Sequence, residues 1–274
     1  MSTQLTTVEA LGSMKALLGT AGMQEMFRNA LADNADSFIA SVLDVYSTDN
    51  RLRQCAAAQV AMEALKAATL KLPITKSLGF AYIVPYKNKQ GVMIPQFQLG
   101  YKGYIQLAMR TGQYKFINTD VVYNGELKAK NKLTGEIDLS GEQQGPEIVG
   151  YFSYFQMLNG FQKTIYWTRE AVTAHAKKYS KSYAKSDSPW QTEFDEMAKK
   201  TMIRMLISKF GIMSVEMQMA LISDAADDVD YENRVNDEIS GRANKGTVID
   251  ITPDAPEPDG QPGTPAAITE GPDF

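Results

Sequence analysis

The chain has 274 residues, of which 44% are hydrophobic, and its formal net charge is −4. This length supports one large domain or two small ones, the single cysteine excludes an internal disulfide and a multi-cysteine zinc site, and no apolar run is long enough to span a membrane. No signal-peptide pattern opens the sequence, so we expect a cytoplasmic protein in a reducing compartment.

The charge is divided unevenly along the chain. Residues 1–75 carry a net −1, residues 76–210 carry +8, and residues 211–274 carry −11. Because the middle of the chain is cationic, the acidic overall balance does not argue against a nucleic acid partner.

The predicted elements begin with a helical N-terminal lobe over residues 1–75. Apolar residues recur at helix spacing over 21–45, and the alanine-rich stretch 55–72 runs up to Pro73, where a helix must end. We expect this lobe to make subunit contacts, because it is apolar and has little net charge. The alternative is that it only completes the core.

Strands follow the lobe. Two aromatic and β-branched stretches, 79–86 and 92–99, flank the basic loop KNKQG and predict a β-hairpin in which Pro85 and Pro95 take edge or end positions. The next predicted elements are a short helix over 100–112, strands over 113–123 and 147–158, and a second hairpin turning at Asn159-Gly160.

The last third of the sequence is predicted to be helical and then unstructured. Thr168 can cap a helix through REAVTAHAKKY, a polar loop covers 180–189, a long amphipathic helix covers 190–210, and a further helix covers 213–225. Residues 226–274 form an acidic tail, disordered from about residue 240 because it is rich in proline, glycine and acid. Competition with a nucleic acid for the basic middle of the chain, recruitment of a partner protein, and solubility are three open roles for it.

Motifs for covalent chemistry are missing from the sequence. There is no GxxxxGK[ST] phosphate-binding loop, the only histidine is His175, and the carboxylates of the basic segment follow no metal-ligand spacing. We therefore predict no catalytic residue, no metal site and no enzyme activity. A nuclease with an unrecognised metal site is one alternative.

Two basic segments instead have the composition of a groove for single-stranded nucleic acid. In QLGYKGYIQLAMRTGQY, residues 98–114, basic and amide side chains recur at four-residue spacing, tyrosines offer faces for base stacking, and glycines allow close approach of another backbone. MAKKTMIRMLISKF, residues 197–210, adds a basic helix face that could form the other wall. The candidate DNA-binding residues are Lys87, Lys89, Tyr101, Lys102, Tyr104, Gln106, Arg110, Gln113, Lys115, Lys199, Lys200 and Arg204.

The stretch GFAYIVPYKNKQGVMIPQFQLGYKGYIQLAMRTGQY and the later W…FDEMAKKTMIR resemble the core of the RecT family of phage single-strand annealing proteins. The resemblance covers about residues 20–225. It implies an α+β fold, with a small antiparallel β-sheet packed against a long helix, distantly like the Rad52 core. It also implies ATP-independent binding of single-stranded DNA, annealing of complementary strands, and oligomeric rings or helical filaments.

These observations predict a strand-annealing recombinase of homologous recombination, in the cytoplasm of a bacterium or a phage-infected host. The annealing core is assigned to residues 76–225, and its ligands are single-stranded DNA and the annealed duplex. The resemblance implies a phage exonuclease and a host single-strand-binding protein as partners. No cofactor is expected, and Mg²⁺ only modulates annealing. The alternative is a passive single-stranded DNA-binding protein that does not anneal.

Overall fold

A computed structural model of the protein describes residues 7–88, 90–180 and 182–225. The acidic tail assigned to residues 226–274, including its predicted disorder, lies outside the described residues, as does Lys89 of the hairpin loop. The fold is α+β, as predicted.

Four helices form the N-terminal region. Their bounds are α1 Thr7–Leu18, α2 Ala21–Leu31, α3 Ala35–Thr48 and α4 Ala57–Thr69. The helix predicted over 21–45 is interrupted by a 3₁₀ turn at Ala32–Asn34, where Ala32 has a φ of 49°. Asp33 and Asn34 favour such a turn, because their short polar side chains compete with helical backbone bonding.

A two-stranded hairpin follows α4. Strand β1 (Ala81–Lys87) pairs antiparallel with β2 (Met93–Leu99), and alternate residues of both strands are buried. Pro85 lies directly opposite Pro95. A proline nitrogen has no hydrogen to donate, so this must be a non-hydrogen-bonded pair, and both strands are edge strands, as predicted. Helix α5 (Tyr101–Arg110) begins two residues after β2.

A three-stranded antiparallel sheet with the order β3-β6-β7 forms the second β element. Its strands are β3 Tyr114–Tyr123, β6 Ile148–Met157 and β7 Gln162–Thr168. The predicted turn between β6 and β7 is present, and Gly160 takes a φ of 88°, which favours glycine. The two-residue strands β4 (Ala129–Lys130) and β5 (Ile137–Asp138), which pair with each other, were not predicted.

Helices complete the described chain. They are α6 Arg169–Tyr179, α7 Pro189–Thr192, α8 Phe194–Phe210 and α9 Val215–Ala225. The Thr168 side chain caps α6 as predicted, since its hydroxyl accepts a hydrogen bond from the Ala171 N–H at 3.2 Å. The helix predicted over 190–210 is divided at Glu193, whose backbone leaves the helical region (φ −136°, ψ 51°).

Buried side chains join these elements into one folded unit. The main hydrophobic core extends from Ala10 in α1 to Leu221 in α9 and includes residues of the N-terminal helices, the hairpin, α5 and α8. A smaller core lies between α6, α8 and the sheet, around Tyr151 and Trp190. The N-terminal helices therefore share the core of the β elements. None of the helices in the described part of the chain is long and apolar enough to cross a bilayer.

Candidate nucleic-acid interface

The glycines of the GYKGY segment set the position of α5. A Cβ atom on Gly100 would lie 2.2 Å from the carbonyl oxygen of Gly79, and one on Gly103 would lie 2.2 Å from that of Phe80. The Gly100 N–H also donates to the Phe80 carbonyl at 2.9 Å. The first turn of α5 thus lies directly against the backbone before β1. Only glycine allows two backbone segments to approach this closely. This confirms the predicted close approach.

This packing brings the two predicted basic segments together at the Tyr101 ring. The Lys199 ammonium of α8 lies 4.8 Å from the ring centroid, and the Lys102 ammonium lies 6.0 Å from it. Both distances are within or at the range of a cation–π contact. Residues about 100 positions apart in the sequence therefore form one basic and aromatic surface.

Lys199 is held in this surface by a carboxylate. Its ammonium donates to Glu196 Oε1 at 2.6 Å, and only 13% of its side chain is exposed. Burial alone would lower the pKa of Lys199, but the hydrogen bond and charge of Glu196, with smaller effects of Tyr101 and Asp120, raise it above its ordinary value. Lys199 is therefore charged at neutral pH, although Glu196 offsets part of its attraction for a phosphate.

A cleft of about 400 Å³ opens between the hairpin, α6 and α8. Three of the predicted DNA-binding residues line it, Lys87 from β1 and Lys200 and Arg204 from α8. The β2 side contributes amides, and the Gln98 amide donates to the Tyr86 hydroxyl at 2.5 Å. Cations thus converge on a cavity whose walls are partly aromatic.

Several side chains of this cleft were not predicted to be part of a binding site. Tyr179 of α6, Lys185 of the following loop and Trp190 of α7 all line it. His175 does too, and its ring lies 4.7 Å from the Tyr179 ring and 5.2 Å from that of Trp167. The interleaved lysines and tyrosines of KKYSKSY, residues 177–183, could have indicated Tyr179, whereas no local pattern indicates His175, Lys185 or Trp190.

A polar cluster fixes α6 and α8 on the sheet behind the cleft. The Tyr151 hydroxyl of β6 donates to Asp195 at the start of α8, and Arg169 at the start of α6 donates to Tyr151 and Asp195 at 2.9 and 3.3 Å. Burial, the hydrogen bond to Asp195 and the charge of Asp195 raise the pKa of Tyr151. The three groups therefore connect β6 to the first turns of α6 and α8.

Two of the predicted DNA-binding residues, Tyr104 and Arg110, lie in surroundings that differ from the prediction. Tyr104 is completely buried in the main core, so its ring cannot stack on a base in this conformation, and that prediction is corrected. Arg110 donates to the carbonyl oxygens of Leu70 and Lys71 at 2.6 and 2.9 Å. Its guanidinium therefore caps the end of α4 rather than pointing free of the protein.

The remaining predicted residues lie near α5 and the start of β3. Gln106 is half-buried, Gln113 is exposed, and Lys115 is exposed with its ammonium 5.5 Å from the Phe116 ring centroid. None of these three lines the cleft. In the described residues, no group of three or more histidine, cysteine, aspartate or glutamate side chains could hold a metal ion.

Comparison with known proteins identifies the family. A family model described as the RecT family matches residues 36–237, about three quarters of the chain. The chain belongs to the RecT family. It is 43% identical over 242 residues to the uncharacterized protein YqaK of Bacillus subtilis (strain 168), a match that covers 88% of this chain and 80% of that protein. It is 32% identical over 168 residues to the protein RecT of Escherichia coli (strain K12), covering 58% of this chain and 60% of that protein.

Membership of the RecT family supports a role in recombination and single-strand annealing. The matched region contains the hairpin, α5, the sheet and α8, so both predicted basic segments belong to the family core. The cleft and the Tyr101 surface are therefore the candidate DNA interface of this RecT-family protein.

Proposed function

We propose that this RecT-family protein anneals complementary DNA strands without ATP and acts as an oligomer on DNA. The observation that carries the proposal is the cleft, in which Lys87, Lys200 and Arg204 converge beside aromatic side chains. Cations that follow the phosphates, together with rings on which any base can stack, suit binding without sequence preference. The sequence has no phosphate-binding loop for ATP hydrolysis.

The mechanism follows from the charge of the cleft. Free DNA strands repel one another, and cationic side chains offset this repulsion by neutralising phosphates and releasing counterions. A strand held by its backbone leaves its bases to sample a second strand, and Watson–Crick pairing then supplies the sequence specificity. In an oligomer the DNA interface would extend over many nucleotides. A long stretch of complementary bases would then be bound more stably than a short one.

The same proposal includes the DNA ligands, the form of the oligomer and the protein partners. The ligands are single-stranded DNA and the annealed duplex, the oligomer is a ring or a helical filament, and Mg²⁺ only modulates annealing. The family layout favours a phage exonuclease and a host single-strand-binding protein as protein partners.

A strand-annealing assay tests the proposal. One oligonucleotide carries a fluorophore and its complement carries a quencher, and protein is added without ATP. Quenching that is faster than the spontaneous rate, and absent for non-complementary strands, is the expected result. Binding without faster quenching would make the protein a passive strand-coating protein. Degradation of the strands in Mg²⁺ would instead indicate a nuclease.

Substitutions on α8 test the cleft itself. We expect Lys200→Ala with Arg204→Ala to slow annealing and to weaken binding of single-stranded DNA. If each residue contacts one phosphate, the slope of log K against log salt should decrease by about 1.4, because each contact contributes about 0.7. Lys209→Ala is the matched control, since Lys209 is exposed on the same helix but does not line the cleft. Equal salt slopes for both variants would refute the cleft assignment.

A further inference from the structure

The three-stranded sheet has two different faces. The face toward α8 is buried, as at Tyr151, Ser153 and Phe155. On the opposite face Phe116 is 56% exposed, and Phe152 and Tyr154 are half-buried. We call this opposite face the aromatic sheet face. Its exposed or half-buried side chains are Phe116, Asn118 and Asp120 of β3, Phe152, Tyr154 and Gln156 of β6, and Gln162, Thr164 and Thr168 of β7, whereas Val122 and Tyr166 on the same side are buried.

The composition of the aromatic sheet face favours a protein partner over nucleic acid. Of these nine side chains three are aromatic, and the only charged one is Asp120. A nucleic acid surface needs cations along the phosphate path, and none of the nine is basic. The centre of a protein interface has few charges and many aromatic side chains.

Lysines stand at the border of this face. The Lys115 ammonium lies 5.5 Å from the Phe116 ring centroid, and the Lys130 ammonium of β4 lies 5.7 Å from the Tyr166 ring centroid. Neither lysine forms an ion pair within the described residues. A partner surface with exposed carboxylates would complement this basic rim.

Such a surface is present on the same chain. Residues 21–50, which include α2 and α3, carry five acidic groups and one basic group. The carboxylates of Glu25, Asp33, Asp36 and Asp44 are exposed there, and none of them is paired with a cation in the described part of the chain. Met26 adds an apolar side chain that is 40% exposed.

We propose that the aromatic sheet face docks the acidic α2–α3 surface of a second copy of this chain. The two surfaces differ, so the contact is head-to-tail, and in an open assembly only the copy at each end keeps one unused surface. Head-to-tail contacts generate rings or helical filaments. This inference rests on the proposed oligomerisation and identifies the surfaces that produce it.

Complementary variants test the contact. Phe116→Ala with Lys130→Ala damages the sheet face without reversing its charge, and Asp33→Lys with Asp36→Lys damages the acidic surface. All four side chains are exposed, so both proteins should fold, which thermal unfolding checks. Sedimentation velocity of the full chain, with and without single-stranded DNA, gives the oligomer size. Met219→Asp is the control, because Met219 is 51% exposed on α9, outside both surfaces.

The expected result is specific to a head-to-tail contact. Each double variant alone should lose the wild-type oligomer, and an equimolar mixture should stop at one-to-one dimers, since each mixed pair retains a single intact contact. The control should assemble like the wild type.

Oligomers of wild-type size from either double variant would overturn the inference while leaving the proposed function intact. A sheet-face variant that keeps its oligomer but loses DNA affinity would assign this face to nucleic acid instead. A wild-type chain that stays monomeric on DNA would refute the proposed oligomerisation itself.

Discussion

The contact between α5 and the backbone before β1 predicts a large effect of one methyl group. In Gly103→Ala the new Cβ would lie 2.2 Å from the Phe80 carbonyl oxygen and 2.7 Å from Leu99 Cδ1. Carbon and oxygen atoms that are not bonded need more than 3 Å, so α5 or the strand must move by about 1 Å.

The stability change can be worked out from two opposing terms. Overpacking typically costs about 1–3 kcal/mol, and the upper part of this range applies because one of the clashing groups is backbone. Replacing glycine by alanine inside a helix regains about 1 kcal/mol. The net loss of unfolding free energy is then about 2 kcal/mol, which lowers Tm by about 4–8 °C for a domain of this size.

Gly12→Ala is the matched control. Gly12 also lies inside a helix, α1, but a Cβ there would have no atom within 4 Å. We expect it to raise the unfolding free energy by up to about 1 kcal/mol, because only the helix propensity changes. Thermal unfolding by circular dichroism, under identical buffer conditions, measures both. A Tm for Gly103→Ala at or above the wild-type value would refute the packing argument.

Two further predictions concern Arg110 and Tyr114. Arg110→Ala removes two hydrogen bonds to the end of α4 and should reduce the unfolding free energy by about 1–2 kcal/mol. Lys102→Ala should instead lower the affinity for single-stranded DNA and change the unfolding free energy by less than about 0.5 kcal/mol. The reverse pattern, in denaturant unfolding and DNA titrations, would return Arg110 to the DNA interface. Burial raises the pKa of Tyr114 to about 12, above the ordinary value of about 10 in the unfolded chain. The stability associated with this group is present below pH 10 and is lost as the pH rises through 12, because the unfolded state releases the proton first. Tyr114→Phe should therefore make the decline of stability over this pH range less steep, and an unchanged decline in pH-dependent unfolding would contradict the shift.

The elements with local signals were predictable from the sequence. The hairpin around KNKQG, the Asn159-Gly160 turn and the Thr168 cap all depend on residues within a few positions of one another. The close approach at Gly100 and Gly103 was also predictable, because a residue without a Cβ atom lets another backbone come near. The strand conformation of β1 and β2 follows from their aromatic and β-branched composition.

Other features depend on partners that are distant in the sequence. Tyr101 and Tyr104 are three positions apart on one helix, yet only the packing of α5 on the core decides that Tyr104 is buried and Tyr101 is not. Arg110 bonds to carbonyl groups about 40 positions earlier. The strands β4 and β5 have no periodic apolar pattern to indicate them, since each contains two residues.

The candidate interface shows why its charges could be predicted and its shape could not. Lys102 was identified as a cation among tyrosines, and Lys199 as part of a basic helix face. Their convergence on the Tyr101 ring requires α5 to lie on the Phe80 carbonyl, which requires Gly103. A variant can therefore retain every basic side chain and still lose DNA binding, if it enlarges a glycine that contacts no DNA. The net charge of the middle segment indicates the class of ligand. The backbone contacts at Gly100 and Gly103 determine whether the cations of α5 and α8 lie close enough to bind one DNA strand together.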